Sequence, residues 1–257
     1  MSYLKQHAAV IEARPILFTT PMVRALLDGS KMQTRRVVKL QRLAGTHFVG
    51  GAAGVEFDGF RIPREGGIAQ ARFSAEAVGG GAYISEEIHC PHGQPGDRIW
   101  VRETFFAYGR WVTRYSKKKR RDEWHFIDMT AECDRTYQYD ADSPDVPLAA
   151  GRGGARPGWH KRPSIFMPGA ACRILLEIVS VRVERLQDIC DADIVAEGID
   201  MDALAEAQDR YDIVCKGSGA SGRATERTAW RDLWESTGGD WDSNPWLWVI
   251  EFKRVTP

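Results

Sequence analysis

The amino-acid sequence predicts an α+β protein whose strands pair across long stretches of chain, as in a small barrel with decorated loops. Three observations support that class. Strand-length segments are interleaved with single amphipathic helices along the 257 residues. The best strand segments lie far apart in the chain, so their pairing has to be non-local. The stretches between them are broken by glycine clusters and basic runs, a composition of insertions rather than of core.

Pro15-Ile-Leu-Phe18 is a short apolar run of strand character. Thr20 reads as a helix N-cap, with Pro21 at the first helical position, where its missing N–H costs nothing. Met22, Val23, Leu26 and Leu27 share one helical face, and Gly29 is the expected left-handed stop. Residues 40–87 hold Gly50-Gly51, Gly66-Gly67 and Gly79-Gly80-Gly81 among weak strand-like pieces, which predicts an irregular, partly mobile insertion. Pro95-Gly96-Asp97 has proline and glycine suited to the middle of a type II turn. It leads into Arg98 to Thr104, which alternates as a strand does.

Residues 105–169 carry Lys117-Lys-Lys-Arg-Arg121, several aromatics and Gly151-Arg-Gly-Gly154, which predicts a second insertion, a basic hairpin or arm. Ala171 to Leu186 is one long strand or two joined ones, and Asp191 caps a short helix that ends at Gly198. A third insertion, 201–224, starts with a helical stretch and ends in the glycine- and serine-rich Lys216 to Arg223. Thr225 to Ser236 is an amphipathic helix with Ala229, Trp230, Leu233 and Trp234 inward. The last strand is Trp246 to Val255, with Trp246, Trp248, Ile250 and Phe252 along one side. We assign Trp230, Trp234, Trp246 and Trp248 to core. The core blocks are therefore about 15–39, 88–104, 170–200 and 225–256 of a single domain spanning 1–257.

Lysine plus arginine and aspartate plus glutamate both number 35, so the formal net charge is zero. That excludes a whole-surface nucleic-acid binder: contact with nucleic acid has to be local, or the ligand has to be small. Five irregularly spaced cysteines fit a reduced, cytoplasmic protein better than a disulfide framework. Met1 to His7 lacks the apolar core of a signal peptide, and no apolar run approaches the ~20 residues that cross a bilayer. His89-Cys90-Pro-His92 has no second ligand pair, so no metal is predicted. Gly217 to Arg223 lacks the Lys-Ser/Thr ending of a phosphate loop, and no G-x-S-x-G elbow is present. No cofactor and no protein partner is predicted.

The densest chemistry lies in Gly29-Ser-Lys-Met-Gln-Thr-Arg-Arg36, a lysine, a hydroxyl and two arginines between a helix and an apolar pair. Such a turn can bind a phosphate, hold a nucleobase, activate a hydroxyl nucleophile, or simply be a solvated basic turn. Lys31 and Thr34 are three apart and would face opposite sides of an extended strand. For the two to act together, the strand has to begin at or after Thr34.

Four blocks together resemble the ASCH family of the PUA-like β-barrel superfamily. They are the G-x-K-x-x-T-x-R pattern of Gly29, Lys31, Thr34 and Arg36, the turn and strand Pro95 to Val101, the stretch Ala196-Glu-Gly-Ile199, and the terminal strand Trp248 to Lys253. The long insertions, Cys90 to Asp97 and Trp100 to Phe105 are similar to phage- and prophage-encoded members. The resemblance implies a PUA-like small β-barrel flanked by short helices, with long inserted loops and a cleft beside the Gly29–Arg36 turn. Related domains use that cleft for RNA or for a modified nucleobase. One small bacterial member hydrolyses N(4)-acetylcytidine with a lysine and threonine of this motif and a glutamate of the third block.

Carried onto this chain, the resemblance makes Thr34 the nucleophile, Lys31 its base and Glu197 the group that moves a proton or polarises water. A neutral Lys31 needs a depressed pKa, which burial and the neighbouring Arg35 and Arg36 can supply. The alternative is that Lys31 binds phosphate and Thr34 caps the turn. Gly29, Arg35, Arg36, Trp100 and Arg102 are the expected ligand contacts, because a tryptophan face stacks on bases. Lys117, Lys118, Lys119, Arg120 and Arg121 add local phosphate affinity, or form a solvated charge run. The expected function is recognition of RNA, DNA or a modified nucleoside. The alternatives are an amidohydrolase of an N-acylated pyrimidine nucleoside and a metal-independent nuclease.

Overall fold

The structure, a computed structural model, describes residues 13–41, 43, 54–62, 68–78, 83–152, 156–214 and 224–255. Along the chain these form β1 (Arg14–Leu17), α1 (Thr20–Asp28), β2 (Gln33–Val37), β3 (Glu56–Arg61), β4 (Gln70–Glu76), β5 (Tyr83–Ile88), β6 (Arg98–Arg102) and β7 (Phe105–Ser116). There follow β8 (Arg121–Asp128), β9 (Gln138–Tyr139), β10 (Gly158–Arg162), β11 (Leu175–Arg185), α2 (Asp191–Ala196), α3 (Met201–Val214), α4 (Glu226–Ser236) and β12 (Trp246–Val255). Among the described residues the fold is α+β, as expected, with 41% strand and few helices, and the sheets are not closed into a barrel. No helix among the described residues is long and apolar enough to cross a membrane.

The chain divides into two compact units. One comprises Ala25–Ile99 and Leu176–Val255. In it, β11, β12 and β2 are neighbours in that order. β12 and β2 run antiparallel, with Trp248 opposite Arg36 and Ile250 opposite Thr34. The Pro95-Gly96 turn closes with the Asp97 N–H donating to the Gln94 carbonyl at 3.0 Å. Gly96 has φ +92°, the left-handed value that the third position of a type II turn demands. The turn anchors on β11, where the Gly96 N–H donates to the Ile178 carbonyl at 2.9 Å.

A core of Leu186, Ile189, Ile194, Trp230, Trp234 and Leu247 joins α2 and α4 in this unit. Thr225 caps α4 with a capping box, its side chain accepting from the Thr228 N–H and Thr228 answering to the Thr225 N–H. Two expectations are corrected here. The N-cap of α2 is Cys190, not Asp191, and makes no side-chain cap bond. Trp246 is half-buried rather than core, its indole N–H donating to the Val55 carbonyl at 2.8 Å.

The described parts of 40–87 form a regular sheet where the glycines suggested an irregular insertion. β3, β4 and β5 form an antiparallel three-stranded sheet. Alternation along β4 buries Ala71, Phe73 and Ala75. The Phe57 ring lies 5.4 Å from Phe73 and 5.9 Å from Trp246. Aromatic burial on one face outweighs the entropy cost of the glycines. The clusters Gly50-Gly51, Gly66-Gly67 and Gly79 to Gly81 lie outside the described residues, as does Lys216 to Arg223.

The other unit comprises Met1–Arg24, Trp100–Leu175 and Thr256–Pro257. Its sheet has the order β10–β7–β8, with β9 also on β7. The basic hairpin expected within 105–169 is β7 and β8, paired from Gly109 opposite Asp128 to Ser116 opposite Arg121. The inserted stretch is thus a sheet rather than a long loop. The start of α1 is also corrected. The Val23 N–H donates to the Thr19 carbonyl at 2.9 Å, so Thr19 occupies the cap position. The Thr20 hydroxyl instead donates to Asp140 Oδ2 at 2.8 Å.

Candidate functional site

The segment after α1 reverses direction at Gly29, which has φ +88°. The Ser30 N–H then donates to Asp28 Oδ1 at 2.8 Å and the Lys31 N–H to the Ala25 carbonyl at 2.9 Å. Lys31 is thereby folded back under the helix end, where it forms an antiparallel bridge with Glu197. The Met32 N–H donates to the Ala196 carbonyl at 2.8 Å, which locks the two chain segments together. Gly198 makes this approach possible. A Cβ there would lie 2.8 Å from the Cβ of Ala25 and 2.9 Å from that of Lys31, and its φ is +81°. Only glycine fits both conditions.

This folding brings Lys31 and Glu197 together, 166 residues apart in sequence. Lys31 Nζ lies 2.7 Å from Glu197 Oε2 and 2.6 Å from the Glu197 carbonyl oxygen. The two side chains are 0% and 3% exposed. Arg35 shares the carboxylate, its Nη1 lying 3.1 Å from Glu197 Oε1. Arg35 also donates to Asp193 Oδ2 at 2.8 Å and Glu184 Oε2 at 3.0 Å, and lies over the Trp230 ring at 5.9 Å. Arg182 extends the network to Glu184, Asp193 and Glu251. Burying so many charges is costly unless each is paired, and the alternating signs meet that condition.

Burial pushes the Lys31 ammonium below its ordinary pKa; Glu197 pulls the other way, and Arg36 and Arg35 add repulsion. This is the direction that a lysine acting as a base requires. Burial likewise lowers Arg36, against the attraction of Glu197. At Asp193 burial acts to raise the pKa, but hydrogen bonds from Gln33 and Arg35 and the charge of Arg182 outweigh it, and the group is held low.

Thr34 departs from the turn position set out above. β2 begins at Gln33, one residue earlier than the shared geometry of Lys31 and Thr34 required, because Gln33 to Val37 all pair with β12. Thr34 is a buried strand residue opposite Ile250. In regular alternation it shares a face with Arg36, while Gln33 and Arg35 share the other.

The remaining expected contacts lie in the unit that holds β7 and β8. Trp100 is buried on β6, with the Arg102 guanidinium 5.4 Å from its ring. Arg102 donates to the carbonyls of Ile165 and Met167. Lys117 to Arg121 form the tip of the β7–β8 hairpin, where Lys119 and Arg121 pair with Glu123 at 2.7 and 3.7 Å.

Sequence reasoning missed Gln33, Asp193, Arg182 and Glu184. The signal for two of them was present: Ser180, Arg182 and Glu184 alternate on a strand whose first half is apolar but for Glu177. It also missed the ion pair of Glu103, 1% exposed in its side chain, with Arg173 Nε at 2.8 Å.

No protein-family model, no curated protein and no solved structure matches the chain.

Proposed function

We propose that the chain recognises nucleic acid or a modified nucleobase through a PUA-like cleft of ASCH type beside the Gly29–Arg36 turn. In such a fold β11, β12 and β2 are part of a barrel wall, and the Lys31–Glu197 bridge lies at the cleft. The observation that supports this best is the buried set Lys31, Arg35 and Glu197, joined at 2.7 and 3.1 Å, in which Lys31 and Glu197 come from two of the blocks that carry the resemblance. Ionisable groups shifted by burial and by specific partners cluster at functional sites far more than elsewhere. Buried donors and acceptors of both signs match the donor and acceptor edges of a nucleobase. The test is binding of short RNA and DNA across a salt series, together with a panel of modified nucleosides. Absence of both salt-sensitive oligonucleotide binding and nucleoside binding would overturn the assignment.

A second reading is hydrolysis of an N-acylated pyrimidine nucleoside of the N(4)-acetylcytidine type. The lowered pKa of Lys31 beside a carboxylate favours it. Recognition comes first because Thr34 sits on β2, on the face opposite Arg35, where it is less suited to serve as Lys31's nucleophile. Release of cytidine from N(4)-acetylcytidine, lost in Thr34→Ala, would establish hydrolysis; an inactive wild type would sink it.

A further inference from the structure

The β10–β7–β8 sheet carries a second arrangement, in the other unit from Lys31 and independent of it. Residues directly opposite on antiparallel strands share a face, as do residues two apart on one strand. Trp111 is opposite Phe126, Thr113 opposite Trp124 and Tyr115 opposite Asp122. On the far side of β7, Arg162 is opposite Phe105 and His160 opposite Ala107. One face therefore runs from Arg162 through Trp111 and Phe126 to Trp124 and Tyr115, and ends at the basic turn.

At the inner end of this face, the Arg162 guanidinium lies 4.7, 4.6 and 4.8 Å from the rings of Trp111, Phe126 and Phe166. Arg152 lies 4.7 Å from the same Trp111 ring. His160 meets Trp111 and Phe126 edge-on and accepts the indole N–H at 3.4 Å, which fixes the rings. Among the described residues neither guanidinium has a carboxylate within ion-pair distance. Burial lowers the Arg162 pKa, and Arg152 adds to it against a pull from Asp128. Two cations held on one indole without an acid between them leave edge N–H donors for an oxyanion.

The outer end is open, its exposed rings lying beside Thr113 and Asp122. Trp124 is 45% exposed and Tyr115 63%. They are diagonal neighbours across the strand pair, roughly 7–8 Å apart. Beyond them, Glu123 pairs with two of the five tip cations, which leaves Lys117, Lys118 and Arg120 without an acid among the described residues. Exposed flat rings between two cationic ends match the alternation of base and phosphate along an unpaired strand.

We propose that this face binds single-stranded nucleic acid, with a phosphate at Arg152 and Arg162 and bases stacked on Trp124 and Tyr115. Stacking accepts any base, so sequence preference is weak, and a duplex, whose base faces are hidden, is a poor ligand. The test is fluorescence anisotropy of a labelled 12-nucleotide oligo-dT or oligo-rU with the full chain across a salt series. The Trp124→Ala/Tyr115→Ala double variant removes exposed rings only. It is expected to weaken binding about five- to hundredfold for each stacked base lost. Arg152→Gln is expected to lower the log–log salt slope by about 0.7. Arg231→Gln, at an exposed cation of the other unit that pairs with Glu235, is expected to bind the oligonucleotide as the wild type does. Unchanged affinity in the double variant overturns the proposal, as does equal binding of the duplex or equal displacement by polyglutamate. Equal loss of binding in Arg231→Gln would reduce the interaction to general charge and overturn it as well.

Discussion

Replacing Glu197 by alanine probes the buried network at the point where its cations meet. The carboxylate holds Lys31 Nζ at 2.7 Å and Arg35 Nη1 at 3.1 Å. Arg35 retains Glu184 and Asp193, so the loss falls mainly on Lys31, whose side chain is 0% exposed. Removing one partner of a buried ion pair costs about 3–5 kcal/mol. Coulomb's law gives a similar figure, about 4 kcal/mol for charges ~4 Å apart at an effective dielectric constant near 20. Because burial already lowers the Lys31 pKa, the lysine can shed its proton, and that escape sets the upper limit of the cost. At ~2–4 °C per kcal/mol for a chain of this size, Tm should fall by roughly 6–20 °C. Urea unfolding followed by tryptophan fluorescence reads the change, with Trp230 beneath Arg35 as a local reporter. Glu197→Gln keeps an acceptor oxygen and should cost less. Lys31→Met combined with Glu197→Met should be closer to wild type than Glu197→Ala alone, since no unpaired charge is left. A Glu197→Ala variant within about 1 kcal/mol of wild type, the range of exposed pairs, would refute the reasoning.

Three further outcomes can be checked separately. Gly198→Ala should destabilise by several kcal/mol, combining left-handed strain of about 1–2 kcal/mol with overpacking of about 1–3 kcal/mol against Ala25 and Lys31. Gly29→Ala, with φ +88° but open space around it, should cost only the strain, and equal losses in urea unfolding would contradict the close approach. Burial pushes the Cys172 thiol up to about 11, whereas Cys190 is exposed. Iodoacetamide at pH 8 should therefore modify Cys190 long before Cys172, and mass mapping that found the reverse order would contradict their burial. Burial raises the Glu103 carboxyl above 4.5 despite its bonds from Arg173. The folded state then holds the proton more tightly than the unfolded chain. The associated stability is present below pH 4.5 and is lost as pH rises from there through the raised value. In urea midpoints, wild type minus Glu103→Gln should fall across that window, and a difference that is flat or rises would count against it.

The legible parts of the fold were those where local chemistry leaves one choice. Gly29 and the Pro95-Gly96 turn each meet a backbone requirement that few residues satisfy, and each is where the pattern put it. The start of α1 was misread by one residue because Thr19 and Thr20 are both good caps. Only the distant Asp140, which takes the Thr20 hydroxyl, separates them. The β3–β5 sheet was read as irregular because glycines dominate its margins, while its stability comes from rings such as Phe57 and Phe73, which meet across strands. At the site, Lys31 and Arg35 stood out as charges. Their partners Asp193 and Glu184 did not, since a carboxylate on a short helix or strand end is ordinary until folding buries a guanidinium beside it. Thr34 was misplaced for a similar reason: where β2 begins depends on β12, more than 200 residues away.

The central claim, a ligand site at Lys31 and Glu197, is tested most directly by thermal shift against free modified nucleosides, with wild type and Lys31→Met side by side. Free nucleosides carry no phosphate chain, so the β7–β8 face contributes little. A nucleoside at a hundred times its Kd should stabilise the wild type by about 2.7 kcal/mol and leave Lys31→Met unmoved. Equal shifts in both proteins, or none in the wild type with any nucleoside of the panel, would contradict the claim.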